Sequence, residues 1–126
     1  MKNRLPKQVV ERWSKMKPDV LARIDKIKGP MVTAAQKTQL KAKAKALYDK
    51  FNKGLSAKLK TASTAKQDAD AKAALKDVIT ITGGYKIKAQ AAIATWGADD
   101  SLGKVFLSTL DKIKDACKRT LQAMNV

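Results

Sequence analysis

The sequence predicts an all-α protein, a compact bundle of four to six helices. Three observations carry that expectation. The chain of 126 residues is 44% hydrophobic and 30% charged, which is the balance of a globular domain and not of a disordered or membrane-spanning one. Only six of its residues are aromatic, so the core has to be built largely from aliphatic side chains and alanine, which suits closely packed helices. Apolar residues recur at steps of three and four along most of the chain, the spacing that puts them on one face of a helix.

In the first segment Pro6 stands where a first helical residue would sit, and Leu5, Val9, Trp13 and Met16 follow at helical spacing. Pro18 is expected to interrupt the chain, giving two short helices, 6–16 and 18–28, the second with Val20, Leu21, Ile24 and Ile27 on one face. Gly29-Pro30 ends it, because glycine closes a helix and proline cannot continue one. A long basic helix is expected from about Thr33, with Leu40, Ala44, Leu47, Phe51 and Leu55 as its stripe. Asn52-Lys53-Gly54 is either a break in that helix or an internal glycine that costs about 1 kcal/mol relative to alanine.

The stretch 58–72 is small and polar, a loop or a fully exposed helix. Ala71, Leu75, Val78 and Ile79 resume an apolar face, and Tyr85, Ala89, Ala92, Ile93 and Trp96 form another after Gly83-Gly84. Residues 78–88, VITITGGYKIK, admit two readings. A three-residue loop at Thr82-Gly83-Gly84 would pair Ile81 with Tyr85 and Ile79 with Ile87 in a β-hairpin. The favoured reading is a helix ending near Thr82 with the glycines as its stop, since helical stripes approach from both sides. The last helix, about 100–124, shows the clearest stripe: Leu102, Phe106, Leu110, Ile113, Cys117, Leu121 and Met124. Asp99 or Asp100 is a natural N-cap for it. No internal repeat or linker divides the chain, so a single domain is expected.

Charge is the strongest functional signal. The 27 lysines and arginines face 11 acids, a net of +16, well beyond the ~2–8 usual for a small soluble domain. Residues 1–60 carry +13 of it. Such a field attracts polyanions. Lysines number 23 against four arginines, and lysine meets phosphate as a mobile point charge whereas arginine reads base edges in bidentate fashion. The sequence therefore favours DNA or RNA held by its backbone, with little base reading. The candidate contact residues are Lys37, Lys41, Lys43, Lys45, Lys50, Lys53, Lys58 and Lys60. Gly83, Gly84 and Lys86 are a second candidate, a loop offering backbone N–H groups to an anion.

Other functions fit the same charge. A bacterial effector or toxin domain, neutralised by an acidic protein partner until delivery, is one. A helical protein-interaction or membrane-surface module is another. Catalysis is less favoured: with no histidine, the familiar His-based acid–base, nucleophilic and zinc sites are absent, and no spacing of Asp, Lys, Tyr or Ser points to a reaction. No cofactor or metal is called for. Asp68 and Asp70 diverge by about 200° on a helix, and Asp99-Asp100 is explained by capping. Cys117 lies in an apolar stripe and reads as a core residue. No run reaches the ~18–20 apolar residues of a membrane span. The basic start, MKNRLPKQVV, lacks an apolar region, which predicts a cytoplasmic protein; export without a signal peptide, or origin as a fragment, stays open on the same reading.

Overall fold

A computed structural model describes residues 3–27, 33–96 and 100–124. It contains four helices: α1 (Lys7–Asp25), α2 (Ala34–Thr64), α3 (Asp68–Ala94) and α4 (Asp100–Met124). No strand occurs among the described residues. The helices pack in a ring, α1 on α2, α2 on α3, α3 on α4 and α4 back on α1, and the diagonal pairs do not meet. Each neighbour runs antiparallel to the last. Trp13 and Lys17 of α1 reach Asn52 and Asp49 of α2, and Phe51 and Lys58 of α2 meet Tyr85 and Asp77 of α3.

Local chemistry explains the helix starts. Thr33 and Gln36 form a reciprocal capping box at α2, with the Gln36 N–H donating to Thr33 Oγ1 at 3.2 Å and the Thr33 N–H donating to Gln36 Oε1 at 2.8 Å. At α3, Asp68 and Asp70 place negative charge on the first turn, where the helix dipole favours it. Arg4 ties the chain's beginning to that same corner. Its Nε donates to Ala65 O at 2.8 Å and its Nη1 pairs with Asp68 at 2.8 Å, while the Leu5 N–H donates to Ala62 O.

The core is one cluster drawn from all four helices. It includes Trp13, Ile24, Phe51, Leu55, Leu59, Leu75, Val78, Phe106, Leu110 and Ile113. Trp13 stacks on Tyr48 at 4.6 Å and donates its indole N–H to Asn52 Oδ1 at 2.8 Å, so its ring is internal and unavailable to a base. Trp96 meets Phe106 edge-to-face at 6.2 Å.

Two local expectations are corrected, and one open alternative is decided. The two short N-terminal helices are one, because Pro18 sits inside α1 on its exposed side. Val9, Trp13, Met16, Val20 and Ile24 bury a single continuous face across it, and that packing outweighs the proline's missing hydrogen bond. Gly54 does not break α2. An added Cβ there would lie 2.2 Å from the Tyr85 hydroxyl, so the glycine is what lets α3 approach and Tyr85 stack on Phe51 at 4.2 Å. The second correction concerns residues 78–88, which are neither hairpin nor helix stop. They are the middle of α3. Thr82 is buried and satisfies its hydroxyl by donating to Val78 O at 2.8 Å, a bond that suits helix and not strand. Ile87, which the hairpin would have paired with Ile79, points outward at 69% exposure.

Candidate polyanion-binding surface

The eight lysines singled out on α2 divide by angle. The buried stripe of α2 is Leu40, Ala44, Tyr48, Phe51, Leu55, Leu59 and Ala62. At about 100° per residue, Lys37, Lys41 and Lys58 lie within about 50° of its centre. The structure places all three at helix–helix contacts: Lys37 donates to Asp25 O at 3.3 Å, Lys41 pairs with Asp25, and Lys58 pairs with Asp77 at 2.9 Å. They brace α2 against its neighbours.

The other five are exposed and have no protein partner among the described residues. Lys43, Lys50, Lys53 and Lys60 lie more than about 100° from the buried stripe, and Lys45 about 90° from it. Their spacing of seven, three and seven residues repeats along the outward side of one continuous helix over about 25 Å. The surface is thus narrower than the full set of eight lysines named from the sequence.

The glycine candidate does not form a site. Gly83 and Gly84 are interior to α3, so their N–H groups belong to the helix's own ladder, and Lys86 pairs with Asp111 of α4 at 3.1 Å. Asp99 lies outside the described residues, as do the side-chain surroundings of Asp100. Among the described residues no group of three or more His, Cys, Asp or Glu side chains gathers as a metal site would need. Among the described residues, too, no helix is long and apolar enough to cross a membrane.

Two ionisable groups are held out of their usual range by the packing. Burial pushes the Cys117 thiol up to about 12, which leaves it protonated and poorly nucleophilic. The Tyr48 phenol is also raised, first by burial and then by the nearby Asp49 carboxylate.

No protein family, curated protein or solved structure matches this chain. The functional reading therefore rests on the residues themselves. One set that the sequence did not bring together lies between α1 and α4. There Arg12 and Arg23 of α1 share a groove with Lys104 and Lys112 of α4. Arg12 lies beside Trp13 in the chain and belongs to no motif, and α4 contributes nothing to the +13 half of the chain. Residues about eighty to a hundred positions apart become neighbours only when the ring of helices closes, and a one-dimensional reading holds no signal for that.

Proposed function

We propose that the protein binds a polyanion, DNA or RNA in preference, through lysine–phosphate contacts with little sequence selectivity. The observation that carries this reading is the outward row Lys43, Lys50, Lys53 and Lys60, with Lys45 at its edge, on a helix whose one acid, Asp49, is paired with Lys17 of α1 at 2.9 Å. An unpaired ammonium on a rigid helix can displace counterions from phosphates without first breaking an internal ion pair. The scarcity of arginine fits backbone contact over base reading.

The test is a fluorescence anisotropy titration against a labelled duplex and a labelled single strand across a range of salt. Affinity is expected to fall steeply with salt, by a log–log slope of about −0.9 per duplex phosphate engaged. Changing Lys43, Lys50, Lys53 and Lys60 together to Gln should flatten the duplex slope by as much as about 3.6 units. Changing Lys37, Lys41 and Lys58 instead should leave the slope nearly unaltered and lower stability. Undetectable binding at low salt would end this reading.

A further inference from the structure

We infer that the groove between α1 and α4 is a second, more structured phosphate-binding site that seats one sugar–phosphate strand with its bases outward. This rests on the polyanion reading above and adds a site that the row on α2 does not include.

The groove has cations at both ends, with hydroxyls and the Asp19 carboxylate between. Arg12 and Arg23 line it from α1, Lys104 and Lys112 from α4, and Ser108 and Thr109 lie on the α4 wall. Because the helices are antiparallel, Arg23 sits towards the Lys104 end and Arg12 towards the Lys112 end. Arg12, Lys104 and Lys112 have no protein partner among the described residues, while Arg23 is held by Asp19 at 3.3 Å. Two of the chain's four arginines are gathered here, and arginine's planar fork suits phosphate better than an ammonium does.

Thr109 supplies the independent observation. It is only 8% exposed, yet its hydroxyl makes no hydrogen bond to any described residue. Five other threonines in these helices, Thr38, Thr61, Thr64, Thr82 and Thr120, return their hydroxyls to the carbonyl four residues earlier. No fully buried side-chain oxygen in the described residues lacks a partner, so the Thr109 hydroxyl must retain contact with the groove it lines. A nearly buried, unpaired hydroxyl at the floor of a cationic groove is a polar group waiting for an oxygen ligand.

The dimensions select the ligand. Arg12 and Arg23 are eleven residues apart, about 16 Å along the helix, and Lys104 and Lys112 about 12 Å. A single phosphate cannot span that. A strand with one charge per ~3.4 Å of duplex axis presents several phosphates over the same length. Adjacent helix axes stand about 8–10 Å apart, too close for a duplex to enter the groove between them but wide enough for one backbone. The lining contains no aromatic ring, so it offers no platform for stacking bases.

The experiment is salt-dependent anisotropy with a labelled oligothymidylate, run on the wild type, three groove variants and the Lys43/Lys50/Lys53/Lys60 variant. Arg12→Gln with Lys112→Gln should flatten the single-strand slope by about 1.4, two phosphates at ~0.7 each. Thr109→Val keeps the shape and removes the hydroxyl. It should weaken binding by about fivefold with the slope and the thermal midpoint unchanged, an outcome that a purely structural role would not produce. Asp19→Asn, which releases Arg23 and removes a repelling charge, should tighten binding. If the groove variants bind as the wild type does while the Lys43/Lys50/Lys53/Lys60 variant loses affinity, the groove inference is overturned and the polyanion reading stands. If the wild type itself fails to bind, both fall together.

Discussion

The approach of Tyr85 to Gly54 offers a sharp test of how α2 and α3 pack. Gly54 of α2 faces Tyr85 of α3, and a methyl group built on Gly54 would lie 2.2 Å from the Tyr85 hydroxyl oxygen but 3.4 Å from the ring carbon that bears it. The conflict is therefore with one atom. Gly54→Ala gains about 1 kcal/mol of helix propensity, while overpacking a well-filled interface typically costs about 1–3 kcal/mol. The ring has little freedom to yield, because it is stacked on Phe51 with an interplanar angle of 8°. A net loss of about 1 kcal/mol is expected, or roughly 4 °C in Tm for a domain of this size. In the Tyr85→Phe background the clashing atom is gone and only ordinary contact remains, so the same Gly54→Ala change should stabilise by up to about 1 kcal/mol. The coupling between the two sites is then about 2 kcal/mol. Urea titrations of the four proteins followed by circular dichroism would measure it, with unchanged m-values confirming that stability alone has moved. If Gly54→Ala stabilises the wild type as much as it does the Tyr85→Phe protein, Gly54 is not there to admit Tyr85, and the account of α2 running unbroken past residue 54 fails.

Three further outcomes follow from the same contacts. Pro18→Ala should raise the urea midpoint, because alanine restores an α1 hydrogen bond worth up to about 3 kcal/mol in total effect, offset by ~1 kcal/mol from a looser unfolded chain; a lowered midpoint would contradict a continuous α1. Asn52→Ala removes the acceptor of the buried Trp13 indole and should destabilise by about 1–3 kcal/mol in the same assay. The folded Cys117 thiol titrates near 12 and the unfolded one near its ordinary 9.0, so the unfolded state releases its proton first and stability falls as pH rises between those values. Relative to Cys117→Ala, the wild type should lose about 1.4 kcal/mol per pH unit there, as read by denaturant midpoints; parallel pH profiles would show that Cys117 is not held in its neutral form by the fold.

The parts of this fold that were legible in the sequence are those where one helix face does all the burying. The α4 stripe from Leu102 to Cys117 is fully buried as spaced, and Trp13 joins Val9 and Met16 inside. The misread points are those where a local signal opposed a tertiary one. Pro18 and the Gly83-Gly84 pair are strong punctuation in isolation, yet each costs only a few kcal/mol at most, and a continuous apolar face on either side repays that. For the charged surface, the type and the helix were readable but the membership was not. Lys37, Lys41 and Lys58 are chemically the same as Lys43 or Lys53. What separates them is their angle to the buried stripe, whose centre is set by Tyr48, Leu59 and Ala62 belonging to it and Leu47 lying at its edge. The α1–α4 groove was beyond reach because its two walls come from opposite ends of the chain.

That same wall-to-wall contact has a bearing on how the bundle assembles. Three of the four helix interfaces join consecutive helices and close short connections, the kind of contact that forms early and quickly. The α1–α4 interface alone unites segments with roughly seventy-five residues between them, so its closure entropy is the largest in the molecule. Closure entropy makes it the seam of the ring, expected to form late as the chain folds and to part early when the native state breathes. A phosphate strand lying in that groove would act as a suture across the seam, and its effect on hydrogen exchange should be concentrated there, in α1 and the first half of α4.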